Sequence, residues 1–169
     1  MNRFHDTGVM IQFLFMLPVA FGIHKISQEQ SPAISTTTLF LGVGAICLTV
    51  LFLVLIIPKA VSDILYMVPQ GIVGAWLIFI SMHLKTVFSK GLRWFGIIVG
   101  LGLVLVGLFP LGFAVFVDPS SLQIPAAPPK EFPQTVANKI LHLVVFIGSI
   151  MGVLLLPVWT ILLGRRLFR

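Results

Sequence analysis

Two apolar runs, residues 64–82 and 95–117, flank the basic connector His83-Leu-Lys-Thr-Val-Phe-Ser-Lys-Gly-Leu-Arg-Trp94, and this pattern leaves few folds open. A bilayer core is crossed by about 20 apolar residues rising about 1.5 Å each, so each run is long enough to span one. The expected unit is a membrane hairpin. Lys85, Lys90 and Arg93 stand in its connector without an acidic neighbour. Short loops rich in lysine and arginine stay on the cytoplasmic side, so the connector orients the rest.

The composition agrees with that reading. Of 169 residues 58% are hydrophobic and 9% charged, too little charge to cover the surface of a soluble domain. One all-α membrane domain, 1–169, is predicted. The formal charge of +6 raises the question of nucleic acid, but the basic residues are scattered singly between apolar runs and make no stripe for a phosphate backbone. The partners implied are the lipid bilayer and other membrane subunits. Cys47, the single cysteine, lies within an apolar run, which excludes an internal disulfide and leaves it as a small packing residue.

Taken in order, the chain divides into five spans at 8–23, 39–57, 64–82, 95–117 and 140–163. The first is read as a retained span and not as a cleaved leader, although Ala20-Phe-Gly22 has a small-x-small spacing. Residues 24–38 form a polar loop, and Pro58-Lys-Ala-Val-Ser-Asp63 is a turn whose Asp63 suits a helix N-terminus. Pro18, Pro69, Pro110 and Pro157 are expected to kink their helices. Glycine-mediated packing is expected from Gly96-x-x-x-Gly100 and Gly148-x-x-x-Gly152, because small residues let helices approach closely. The loop 118–138, with Pro119, Pro125, Pro128, Pro129 and Pro133, favours an extended chain on the membrane surface. Trp159 suits an interfacial belt, and Arg165, Arg166 and Arg169 read as a stop signal.

Five spans place the termini on opposite sides. With the 83–94 connector inside, Lys25, Lys85, Lys90, Arg93, Arg165, Arg166 and Arg169 are internal, against Arg3, Lys59, Lys130 and Lys139 outside. The expectation is an external N-terminus, an internal C-terminus and an external proline-rich loop.

Three stretches carry a resemblance: Gly71-x-x-Gly74-x-Trp76, Leu92-Arg-Trp-Phe-Gly96-Ile-Ile-Val-Gly100 and Pro157-Val-Trp-Thr-Ile-Leu-Leu-Gly-Arg-Arg-Leu167. From His24 onward the chain resembles a family of uncharacterised bacterial multi-pass membrane proteins, a domain of unknown function. The resemblance implies a bacterial cytoplasmic (inner) membrane location. It implies no activity and carries over no functional residues.

Functional candidates are few. His24, His83 and His142 lie at the edges of spans, where matched imidazoles would suit haem or a chlorophyll-type pigment, and where interfacial polar residues also sit by default. Pro69, Gln70 and Gly71 form a possible ligand-lined kink, since proline frees a carbonyl that a glutamine can satisfy. No catalytic or metal site is proposed: the acidic residues are dispersed over membrane-edge segments, Asp118, Glu131 and His142 need not converge, and no charge falls within a span. The leading expectation is a noncatalytic structural or accessory protein without a cofactor. Its alternatives are a binder or transporter of a small apolar or lipid-like molecule, and a haem- or pigment-ligating subunit of a respiratory or photosynthetic complex.

Overall fold

The computed structural model describes residues 3–30, 36–85, 88–122 and 135–167. Over these the chain is helical, and they contain no strand: α1 (Arg3–Gln30), α2 (Thr36–Ile56), α3 (Met67–His83), α4 (Lys90–Phe116), α5 (Val136–Gly148) and α6 (Leu156–Leu167). A π-helical segment, Ser149–Leu154, joins α5 to α6, and one 3₁₀ turn, Pro119–Leu122, follows α4. Four stretches are long and apolar enough to cross a membrane: Asp6–Ile26 of α1, α2, α4 and the composite Val136–Arg166. The fifth apolar helix, α3, has 17 residues. That is a rise of about 26 Å, at the short end of what a bilayer core takes.

Helices adjacent in sequence pack side by side, and α6 returns to α1, so the bundle closes on itself. From α1 to α5 each helix runs antiparallel to the one before it, and α6 continues the direction of α5. Met10 of α1 shares a cleft with Leu53 and Ile56 near the end of α2, while Ile23 shares a cavity with Leu39 near its start. Helices α1 and α6 run parallel, for Gln12 bonds the carbonyl of Val153 and Met16 meets the hydroxyl of Thr160 further along. Large apolar side chains such as Phe15, Phe40, Leu108 and Phe146 stay exposed on the outside, as lipid contact allows.

Helix α4 is the centre of the bundle. A Cβ added to Gly74 would lie 2.5 Å from the Gly100 oxygen, and one on Gly71 would lie 2.9 Å from the Gly107 Cα, so α3 and α4 run nearly backbone to backbone. On another face of α4, a Cβ on Gly148 would lie 2.9 Å from the Gly102 oxygen, and one on Gly102 would collide with the backbone of Gly152. Two tryptophans occupy glycine gaps: Trp76 lies over Gly42 of α2, and Trp159 lies over Gly96 of α4.

The elements depart from the sequence expectations at five places. The expected polar loop 24–38 is helical at both its ends, because α1 carries on through its polar residues to Gln30 and α2 starts at Thr36. Helix α4 begins at Lys90 instead of 95, because the Ser89 hydroxyl accepts the Leu92 N–H at 3.4 Å and Leu92 is buried against the bundle. Helix α5 begins at Val136 instead of 140, capped by the Thr135 hydroxyl on the Asn138 N–H at 3.2 Å. Helix α3 begins at Met67, which puts Pro69 in its first turn, where a missing N–H disturbs nothing. Trp159 is no interfacial belt residue: it is fully buried, and its indole N–H donates to the Leu92 carbonyl at 3.3 Å. Pro18 and Pro110 lie inside α1 and α4, and Pro157 opens α6. The expected extended course of the proline-rich loop falls mainly on 123–134, outside the described residues.

Gly74→Ala is expected to lower the stability of the detergent-solubilised protein by about 1–3 kcal/mol, as overpacking does. Gly44→Ala, with open space around it, should leave stability unchanged or slightly higher. Thermal unfolding followed by circular dichroism measures both.

Candidate functional site

Polar groups inside the bundle are few, and each must be accounted for. Pro157 has no N–H, so the carbonyl four residues earlier, Val153, loses its helical partner. The side-chain amide of Gln12, from α1, donates to that oxygen at 2.9 Å. A glutamine therefore does satisfy a proline-freed carbonyl in this chain, but the pair is Gln12 with Pro157. The expected pair was Gln70 with Pro69, and nothing in the sequence joins residues 141 positions apart.

Gln70 has a different situation. It is buried, at 1% exposure, and neither of its amide atoms has a hydrogen-bond partner. An unmade buried hydrogen bond costs about 1–3 kcal/mol. Thr49 of α2 is also fully buried, and the antiparallel register set by Trp76 over Gly42 puts it at the height of Gln70. Thr49 is satisfied by its own helix, on the Ala45 carbonyl at 2.9 Å. Gly71, next to Gln70, lies against the backbone of Gly107.

The three candidate histidines are not brought together in a ligand set. His83 is exposed, its Nδ1 is 2.8 Å from the Phe79 carbonyl, and its ring stacks on Phe79 at 4.0 Å. His142 is exposed, with its ring 5.8 Å from that of Phe109. His24 Nε2 lies 3.0 Å from the Gln28 amide. His24 lines a cavity with Trp76 and Ile80, but at about 10 Å³ that cavity is no larger than one water needs. A tetrapyrrole does not fit there. Among the described residues no three His, Cys, Asp or Glu side chains are placed to hold a metal ion. Asp118 accepts from the Ser120 N–H at 3.0 Å and from its hydroxyl, which caps the 3₁₀ turn, and Glu131 lies outside the described residues.

An opening for which the chain supplies charge is at the other end of α1. A cleft of about 320 Å³ has a polar rim of Asp6, Thr7, Lys59 and Asp63 over an apolar floor of Met10, Leu53, Ile56 and Ile57. Backbone geometry at the end of α2 builds this rim. The Lys59 N–H bonds the Ile56 carbonyl at 2.9 Å and the Ala60 N–H bonds the Leu55 carbonyl at 3.1 Å, the paired bonds of a Schellman helix end. Such an end needs a left-handed residue, usually glycine, and here it is Lys59, with φ of 58°. Asp63, expected to cap the next helix, lies on the cleft instead, and the N-cap of α3 is Tyr66, without a side-chain cap. Burial pushes the Tyr66 hydroxyl well above the usual tyrosine range, and the nearby charges of Asp6 and Asp63 push the same way. Both carboxylates thus act on one point.

Charge divides the bundle by end. Lys25, Lys85, Lys90, Arg93, Arg165 and Arg166 share the end where α3 finishes and α4 starts. Lys59 and Lys139 share the opposite end with Asp6, Asp63 and Asp118.

Comparison of the chain with protein-family models, with curated proteins and with solved structures finds no match to any of them. The cleft was not legible in the sequence because its two carboxylates come from α1 and from the turn after α2. The only local signal was a lysine following Pro58 at a helix end.

Gln70→Leu removes an amide that has no partner in the apolar bundle. The thermal midpoint of the purified protein is expected to rise. A fall would show that the amide has a partner which the variant loses.

Proposed function

We propose that this chain is a noncatalytic, five-pass accessory protein that packs beside other helices in a larger complex of a bacterial cytoplasmic membrane. The observation that carries this reading is how loosely the last pass is held. In its apolar window 17% of the residues are buried, against 50% in α4. The side it turns outward repeats at Ile140, Leu143, Leu154, Val158 and Ile161, with Ile147 and Ile150 between, all exposed. Steps of three and four residues put Ile140, Leu143 and Ile147 on one stripe of α5 and Val158 and Ile161 on one stripe of α6, the shape that a partner helix interdigitates with. Lipid accepts the same ridge, and in a bilayer the choice between them rests on packing, not on hydrophobicity.

In this reading the short α3 is the third pass, and close glycine contacts along α4 fix the five passes as one rigid body that can present the outer ridge. The strongly basic end lies in the cytoplasm, with the C-terminus, and the end carrying the cleft lies outside with the N-terminus.

A photo-crosslinking amino acid placed at Ile147 in cells, with Leu101 on α4 as an exposed control, tests the ridge. The expected result is a protein adduct of one discrete size from position 147, identified by mass spectrometry. Adducts with lipid alone from both positions would overturn the accessory reading.

A further inference from the structure

The cleft at the acidic end has features that packing does not explain. Its rim carries a lysine held in the left-handed conformation, where glycine would sit without strain. Lys59 and Asp63 are exposed, and Asp6 reaches the same cleft from the first helix. The floor beneath them is apolar and continues onto exposed Ile57 and Val54 of the outer surface. The whole lies at the end of α2, where a bilayer's headgroups would be. Charges of both signs above an apolar floor, at that depth, match a molecule built the same way.

The geometry points to a binding site for the headgroup of a zwitterionic phospholipid that bears a primary ammonium. Its ammonium lies between Asp6 and Asp63, its phosphate on Lys59, and its chains leave along Met10 and Leu53 toward the lipid.

Four features select this ligand. Among the described residues the rim carries two carboxylates against one ammonium, which disfavours anionic headgroups. Lys59 then supplies the partner that a phosphate needs, so a bare cation leaves the rim half used. A primary ammonium donates three hydrogen bonds, while a quaternary one donates none and is recognised by aromatic faces. Among the described residues the lining contains no aromatic side chain, which disfavours choline. The volume of about 320 Å³ is at the lower end for small-molecule sites, enough for a headgroup with the chains outside.

The full chain, purified in mild detergent and depleted of lipid, is to be reconstituted with vesicles containing equal amounts of phosphatidylethanolamine, phosphatidylcholine and phosphatidylglycerol, then released for native mass spectrometry. The expected spectrum shows one retained phosphatidylethanolamine per chain. Asp63→Asn, and separately Lys59→Asn, should lower its retention roughly tenfold, a change of about 1.4 kcal/mol, without changing retention of the other two lipids. Asparagine tolerates the left-handed backbone at 59, so the second variant keeps the helix end, and circular dichroism checks that both variants are folded. Equal retention of all three lipids, or wild-type retention by both variants, overturns the site. So does equal thermal stabilisation by water-soluble phosphoethanolamine, which would show a free small molecule as the occupant.

Discussion

The bundle depends on the satisfaction of one backbone carbonyl. In a bilayer no water reaches an exposed peptide oxygen, so a proline inside a span leaves an unmet acceptor. Here Pro157 does so at Val153, and the answer comes from the far end of the chain, as Gln12 of α1 donates to it. That bond ties the first pass to the last and closes the ring of helices. It also coincides with the π-helical segment Ser149–Leu154, in which Gly152 lies against α4. Irregular backbone, a small residue and a glutamine from another helix thus occupy one level of the bundle.

Around this closure α4 acts as the common wall. Its glycines permit α3 on one face and the π segment on another, and Gly96 leaves space for the indole of Trp159. Trp159 then bonds the Leu92 carbonyl near the start of α4, a region that the sequence presents as a loop. Charge is kept to the two ends. The interior contains Gln12, Thr49, Gln70, Ser81 and Thr160, of which Gln70 and Ser81 have no side-chain hydrogen bond in the structure. The ends therefore differ in character: one is basic, and the other has acids and lysine around a cleft.

What the sequence disclosed was the part controlled by one-dimensional pattern. Runs of apolar residues long enough to cross a bilayer mark where helices lie, and Gly96, Gly100, Gly148 and Gly152 stand out by spacing alone. Helix limits were less legible, because Ser89 and Thr135 move two starts outward through single hydrogen bonds and Met67 moves one inward. Trp159 looked interfacial because tryptophan near a run of arginines usually is, and only the gap at Gly96 makes it a core residue. Gln12 carries no local mark of its role, since its acceptor is exposed by a proline in another helix. The cleft is hidden for the same reason: Asp6 and Asp63 meet only after α1 and α2 have folded back on each other.

The most direct measurement is a double-mutant cycle between Gln12 and Pro157, read as unfolding free energy in detergent. Gln12→Leu is expected to cost about 1–2 kcal/mol when Pro157 is present. In the Pro157→Ala background, where an N–H is restored for Val153, it should cost little, giving a coupling energy of similar size. Equal loss in both backgrounds would contradict the account, for it would mean that Gln12 stabilises the bundle by some contact other than the carbonyl that Pro157 leaves open.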